Sequence, residues 1–400
     1  MGFCRARIAT VDRLNLVRVL RAARNHFRSA NLNVSLRIIV PVTLICALAP
    51  ALSAHGAALE WLAKHQEPDG HWDSRKYGAR TQTDTATTGL ALLAFLGAGN
   101  SEKFGDFKVN VKLGVAWLKS KQADNGRIFD ATDDSSRFEE AWGNAIGTFA
   151  LCEATNMANM PETRIAAQKA VDYCTENFPF KLGLLNNGQR TCAIDPSTDL
   201  PTVGWYVMAL KSAKNAGLKM PLSTFDALIA FLDSIEHRLD KPQQDGFAPP
   251  SEYWFRKDEQ THDRHPAHRM CAIGCLCRQF LGGKKEDLHS SVERFVQMSP
   301  PVWKSGEENV DIYYWFLGNF CVFQQDGDSW TTWHKSLTKA LAKNQRKHGD
   351  EAGSWDAKGF ASDEWGRVGQ TALGCMSVEV YYYNSPPNLI VQDVKEKLAE

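Results

Sequence analysis

The sequence predicts an all-α protein whose helices form a closed α/α6 toroid, a ring of six helical hairpins with an inner and an outer layer. Two observations carry this prediction. One sequence repeat recurs along the chain, and it alternates with a second, more apolar kind of helical segment. No run with the two-residue period of a strand stands out. The ring is assigned to residues 55–400 and a separate N-terminal segment to residues 1–54.

The repeat is clearest in three segments, which begin at Ala58, Val115 and Ala340. Each is an amphipathic helical stretch that ends in Gln and is followed by a Gly-containing turn and an apolar residue. Weaker copies lie between the second segment and the third. Six units in all favour a closed ring over an open solenoid, because the terminal repeats lack the polar capping faces that a solenoid needs.

Six richly apolar segments alternate with these repeats. They lie near residues 84–98, 140–156, 200–217, 267–282, 312–324 and 367–383. A helix that is apolar on most sides belongs in an interior, so these six are predicted to be the inner helices. Because of the alternation, all six point the same way, and their N-termini meet at one end of the ring. We call this end the mouth.

The N-terminal segment has the pattern of an export signal. Arg37 precedes an apolar run, Ile38 to Leu52, that ends in the small residues of Ala51-Leu-Ser-Ala54. Two prolines interrupt the run, which argues against a stable membrane span of ~20 residues. A retained anchor is the alternative. The protein is therefore predicted to be periplasmic or secreted, with no membrane span in the mature chain.

The charge of the predicted ring argues against one class of partner. Residues 55–400 hold 38 Lys and Arg against 45 Asp and Glu, a net charge of −7. Nucleic acids are bound through Lys and Arg, so an acidic body without a basic stripe argues against a nucleic-acid partner. The same residues hold eight cysteines, most of them in apolar helical stretches, which predicts few disulfides.

The turn Gln66-x3-Gly70-x-Trp72 resembles the QW repeat of squalene–hopene cyclases. Further segments are similar to exported, single-toroid prenyltransferase and squalene oxidase repeat proteins: residues 84–93, 204–212 and 377–383. The resemblance covers residues 55–383. It implies the toroid fold of terpenoid cyclases and protein prenyltransferases, and an apolar or aromatic-stacking ligand in a central cavity.

The catalytic motifs of that family are missing from the chain. Its cyclases protonate an alkene with an Asp-x-Asp-Asp motif, and the nearest segment here, Asp130-Ala-Thr-Asp133-Asp134, has a different spacing. Its prenyltransferases bind zinc through an Asp-x-Cys pair, but Asp172-Tyr-Cys174 falls in an outer helix. No catalytic residue or cofactor is assigned.

Two kinds of function remain open from the sequence. The first is an envelope protein that binds a lipid-like small molecule or a glycan in the ring. The second is an enzyme, either an atypical terpenoid-active one or a glycan-active hydrolase or lyase that uses carboxylates at the mouth. Toroids of paired helices serve many activities, so the fold does not choose between them.

Six residues near the mouth are the candidate ligand-binding residues. Three are acids that stand immediately before inner helices: Asp84, Asp199 and Asp311. Such a carboxylate can cap its helix, or act as acid or base. Three are aromatic: Trp142, Trp205 and Tyr314. Their rings can stack on a ligand or pack in the core.

One metal-like cluster begins the fourth inner helix. His268, Cys271 and Cys275 share a helix face, so they could bind Zn²⁺ with His265 as a fourth ligand. The alternative is a pair of core cysteines beside a solvated, His-rich loop that also contains His262. The sequence favours the alternative, because cysteine often packs as a small hydrophobe. No metal site is predicted here.

Overall fold

The computed structural model describes residues 54–129, 137–177, 179–184, 190–239, 250–257, 266–303, 310–359 and 362–379. The N-terminal segment up to residue 53 lies outside these residues, as do Asp130, Asp133 and Asp134. The export signal and its cleavage therefore stay predictions. Every helix in the described residues falls short of the length and apolarity that crossing a bilayer requires.

The described residues form twelve α-helices, alternately outer and inner. The outer helices are α1 (residues 54–64), α3 (Lys108–Ser120), α5 (Pro161–Glu176), α7 (Leu222–Ile235), α9 (Lys285–Met298) and α11 (Gly327–Asn344). The inner helices are α2 (Asp84–Gly97), α4 (Arg137–Ala158), α6 (Leu200–Asn215), α8 (Ala267–Phe280), α10 (Ile312–Gln325) and α12 (Ser362–Val378). All six predicted inner segments overlap inner helices; residues 380–383 of the last segment lie outside the described residues.

Contacts among the inner helices close the ring. Each inner helix packs against the next one along the chain, and α12 packs against α2. Helix α2 is buried along its whole length, whereas α3 buries one stripe that includes Val111, Val115 and Leu118. This difference is the one that separates an interior helix from a surface helix. The chain is an α/α6 toroid, as predicted.

The Gln of each strong repeat ties one outer helix to the next. The side-chain amide of Gln66 donates to the carbonyl of Gly70 in its own turn at 2.8 Å, and to the carbonyl of Asn110 in α3 at 3.0 Å. Gln122 repeats the arrangement, and its amide donates to the carbonyl of Ala166 in α5 at 2.9 Å. The repeat therefore encodes the spacing between neighbouring outer helices.

The third copy of this clamp joins the end of the ring to its beginning. The amide of Gln345 donates to Gly353 O at 2.7 Å and to Ala54 O, in α1, at 2.6 Å. Gly353 has a φ of +96°, and a Cβ atom there would lie 2.2 Å from Ala57 O. Only glycine fits this position, because a side chain would be strained and would also strike the backbone of α1.

The apolar residue after each turn anchors the outer layer to the inner layer. Trp72, Ile128 and Trp355 are completely buried. The backbone N–H of each donates to a side-chain oxygen of the following inner helix; the acceptors are Thr88, Asn144 and Thr371. These positions are structural clamps, which is why the pattern recurs.

Two short antiparallel sheets lie in the connections that follow α5 and α7. Strand β1 (Phe180–Leu184) pairs with β2 (Arg190–Ile194), and β3 (Glu236–Arg238) pairs with β4 (Ser251–Tyr253). These strands were not predicted from the sequence, and they are a departure from the expected all-α connections. Strands of three to five residues are too short for a two-residue period to stand out.

Candidate functional site

Four aromatic side chains from different inner helices meet at the mouth of the ring. We call these four residues the aromatic cluster: Trp142, Trp205, Tyr313 and Trp365. The ring centroid of Trp365 lies 5.6 Å from that of Trp142 and 5.8 Å from those of Trp205 and Tyr313. Trp205 and Trp365 come from the third and the sixth inner helices. Their contact therefore spans the axis of the ring.

The aromatic cluster is densely packed. Trp205, Tyr313 and Trp365 each expose 1% of their surface, and Trp142 exposes 8%. Their tilted and edge-on contacts are those that aromatic rings favour in cores. Two cavities among the described residues lie away from the cluster: one of about 100 Å³ between α8 and α9, and one of about 380 Å³ between α9 and the start of α11. At the level of the cluster, side chains rather than an open cavity occupy the axis.

A glycine turn brings Trp365 into the cluster. Gly366 has a φ of +54°, and a Cβ atom there would lie 2.4 Å from Tyr77 O. The regular part of α12 therefore begins after Gly366, close to the predicted residue 367. Sequence reasoning did not select Trp365 as a candidate. The sequence does contain a signal for Trp365: it stands with Gly366 just before the predicted start of an inner helix. Asp84, Asp199 and Asp311 occupy the same place before other inner helices.

Asp199 caps α6 and is connected to the aromatic cluster. Its carboxylate accepts a hydrogen bond from the backbone N–H of Thr202 at 2.7 Å, and the Thr202 hydroxyl accepts one from Trp142 Nε1 at 2.6 Å. Burial raises the pKa of Asp199, and hydrogen bonds to Thr202 and the charge of Arg256 offset the rise only in part. Both of the roles considered for Asp199, cap and buried acid, are compatible with this geometry.

Asp311 caps α10 and forms a buried ion pair. Its carboxylate accepts from the backbone N–H of Tyr314 at 2.9 Å and from Arg269 Nε of α8 at 2.5 Å. Burial raises the pKa of Tyr313 well above its ordinary value, and the charges of Asp199 and Asp311 contribute to the rise. The carboxylate of Asp311 thus links α8 to α10 beside the aromatic cluster.

The structure places Asp84 and Tyr314 outside the aromatic cluster. Asp84 accepts from the backbone N–H and the hydroxyl of Ser74, both at 2.8 Å, and so anchors the turn after α1. Tyr314 donates to Ser299 O at 2.9 Å, and its ring packs against Phe295 and Trp333 of the outer layer. Of the six candidates, Trp142, Asp199 and Trp205 come together, and Asp311 adjoins them through Tyr313.

The His268, Cys271 and Cys275 cluster has packing contacts. The two sulfur atoms lie 3.9 Å apart in the core, while the His268 ring lies edge-on to Tyr314 at 4.7 Å. In the described part of the chain, these three residues do not bring three ligand atoms within 4.8 Å of one another. His262 and His265 lie outside the described residues.

Comparison with known proteins supports the fold. No protein-family model and no curated protein matches the sequence. Among solved structures, the chain is similar to an alpha-amylase from Clostridium perfringens, with a TM-score of 0.52 and 15% identity over 82% of this chain and 97% of that chain. It is also similar to a cellobiose 2-epimerase from Spirochaeta thermophila DSM 6192, with a TM-score of 0.54 and 11% identity over 87% of this chain and 99% of that chain.

These similarities support the coarser part of the family inference, the α/α toroid. Both solved structures are α/α toroids, so the likeness establishes the ring of helices. The likeness gives no support to the finer part of the inference, which was a terpenoid-cyclase or prenyltransferase family with its QW motif. The turn that suggested that family, Gln66 to Trp72, clamps outer helices to each other and to α2, so the ring itself is a sufficient reason for it.

Proposed function

We propose that the chain is a glycan-active toroid of the bacterial envelope, which binds a saccharide at the mouth and uses Asp199 as its proton donor. One observation carries the proposal: a buried acid with a raised pKa is hydrogen-bonded, through Thr202, to an aromatic cluster at the inner-helix N-termini. The two similar solved structures are an alpha-amylase and a cellobiose 2-epimerase, which supports a saccharide as the ligand.

The chemistry of the site is compatible with acid–base work on a sugar. A carboxyl group with a raised pKa keeps its proton at pH values where an exposed one has lost it, so it can protonate a sugar oxygen as a bond to that oxygen breaks. Asp311, two residues before Tyr313, supplies a second carboxylate at the mouth, where it is paired with Arg269. The packed rings of the cluster form an aromatic floor beneath the mouth, on which the apolar face of a sugar ring can rest. Trp142 is the most exposed member of the cluster, so we expect it to make the first contact.

The test is to incubate the purified protein with defined α- and β-linked gluco-oligosaccharides. Binding would be followed by tryptophan fluorescence, and turnover by mass spectrometry and chromatography of the products. We expect Asp199→Asn to lower turnover by ~10²-fold or more while the saccharide affinity changes little. The matched control is Asp195→Asn, a buried carboxyl on the same connection whose partners are Ser197 and Lys181. Thermal unfolding would check that both variants fold.

The pH profile gives a second readout. Because the donor must be protonated, turnover should fall as pH rises through the raised pKa of Asp199, and this limb should disappear in Asp199→Asn. Unchanged turnover in Asp199→Asn would contradict the assignment of the donor. Binding of an isoprenoid with no binding of any saccharide would contradict the ligand class and favour the apolar ligand that the sequence first suggested.

A further inference from the structure

A second group of reactive side chains lies at the end of the ring opposite the mouth. His55 stands at the start of α1, Cys375 lies in the last turns of α12, and Glu379 directly follows α12. The ligand atoms of these three residues, a nitrogen, a sulfur and a carboxylate oxygen, lie within 4.8 Å of one another. The group thus occupies the seam where the first and last described helices meet.

Helix geometry and ring closure together create this group. Cys375 and Glu379 are four residues apart, so they lie on the same helix face. His55 reaches them only because the ring closes, and its Nε2 atom lies 2.5 Å from Glu379 Oε1. Cys375 and Glu379 are buried, whereas 16% of the His55 side chain is exposed. Solvent therefore reaches the group from the His55 side.

One oxygen of this group lacks a partner. Glu379 Oε2 is buried and accepts no hydrogen bond from the residues that the structure describes. Buried carboxylate oxygens are rarely left unpaired, because removing them from water has a free-energy cost that nothing then offsets. A cation bound between Glu379, Cys375 and His55 would supply the missing partner.

We propose that His55, Cys375 and Glu379 bind a Zn²⁺ ion that fastens α1 to α12. Zn²⁺ accepts nitrogen, sulfur and oxygen ligands at ~2.0–2.3 Å in a tetrahedral arrangement, so ligand atoms around one ion lie roughly 3.5 Å apart. Small adjustments of the three side chains reach that geometry. A water molecule would take the fourth position from the exposed side, and the cysteine selects a thiophilic metal over Mg²⁺ or Ca²⁺. The ion would stabilise the ring independently of any chemistry at the mouth.

Cobalt provides a direct probe of the cysteine. The protein would be stripped of metal with a chelator and titrated with Co²⁺, which occupies tetrahedral zinc sites. We expect a near-ultraviolet thiolate-to-cobalt absorption band in the wild-type protein, its loss in Cys375→Ser, and displacement of Co²⁺ by Zn²⁺. The matched controls are Cys321→Ser, a buried cysteine of α10, and Cys271→Ser, which belongs to the cysteine pair of α8. Both should keep the band.

A second pair of variants covers the case in which Cys375→Ser fails to fold. We expect His55→Ala and Glu379→Gln each to weaken Zn²⁺ binding at least about tenfold. Added Zn²⁺ should raise the melting temperature of the wild-type protein and have a much smaller effect on His55→Ala, because a ligand of the folded state stabilises it by mass action. The proposal is overturned if the wild-type protein gives no thiolate–cobalt band, or if Cys271→Ser abolishes the band while Cys375→Ser keeps it.

Discussion

Five of the connections from outer to inner helices are built in two ways. After α1, α3 and α11 the chain makes Gln–Gly turns, in which the Gln side-chain amide donates to backbone carbonyls of the turn and of the next outer helix. Ion pairs such as Arg346–Asp356 accompany these turns but do not form the clamp. After α5 and α7 the connections contain strands, and ion pairs hold the second of them in place. Arg278 pairs with Glu236 of β3, and Arg294 pairs with Glu252 of β4.

The difference explains why the sequence repeat is strong in one part of the ring and weak in the other. A Gln–Gly turn needs the same three residue types each time, because the amide, the left-handed glycine and the buried apolar side chain have fixed partners. A strand-containing connection can use any pairing of an arginine with a carboxylate. The turns therefore leave a repeat that can be read in the sequence, and the strands do not.

The largest expected effect is the loss of the glycine that lets α11 and its turn approach α1. We expect Gly353→Ala to lower the free energy of unfolding by about 3 kcal/mol or more, because the methyl group combines a strained φ with a clash on Ala57 O. The control is Gly349→Ala in the same turn, where φ is +74° and no atom lies within 4 Å. In the control, the free energy of unfolding should fall by only about 1–2 kcal/mol, the cost of the left-handed backbone alone. Urea unfolding measures both, and equal losses would show that the close approach is unimportant.

A smaller effect is expected from removing the clamp itself. Gln345→Leu leaves the carbonyls of Gly353 and Ala54 without their amide donor, which should lower the free energy of unfolding by about 2–3 kcal/mol. Gln122→Leu removes the equivalent bonds at a half-buried site, so water can replace them and the loss should be about 1 kcal/mol. Equal losses of unfolding free energy in the two variants would show that the clamp at Gln345 stabilises the ring no more than the clamp at Gln122.

The smallest effect is expected in the strand part. Arg294→Met removes the ion pair with Glu252, and we expect a loss of about 1 kcal/mol because the arginine is partly exposed. The loss should shrink in 1 M NaCl, since salt screens exposed charges. The loss in Gln122→Leu should stay unchanged, because the bonds removed there join an amide to backbone carbonyls. Unfolding curves at low and high salt would test the contrast, and a salt-dependent loss in Gln122→Leu would remove the distinction between the two kinds of connection.

The ring could be predicted because its signals are local and repeated. Inner and outer helices differ in how much of their circumference is apolar, and that difference is visible over a dozen residues. The strands between α5 and α8 could not be predicted, since they are short and their partners are distant in sequence. The terpenoid family was inferred from Gln66, Gly70 and Trp72, whose contacts belong to the architecture.

The candidate site could be predicted only in part. The capping positions of Asp199 and Asp311 follow from their places before apolar helices, and the structure confirms both caps. The partner of Asp311, Arg269, and the aromatic partner Trp365 have no local signal. They join the site through contacts between helices that are distant in the chain, which a single sequence does not reveal.

The seam between α1 and α12 has a consequence for the order of folding. It pairs residues that are far apart along the chain: 324 positions separate His55 from Glu379, and 291 separate Ala54 from Gln345. The entropy lost in closing so long a loop is regained only when these contacts form, so closure should be a late and slow step. Until it occurs, the facing surfaces of α2 and α12 are open to water and to other chains. A nascent chain therefore stays vulnerable to aggregation until α12 is available, and a holding chaperone would be most useful during that interval.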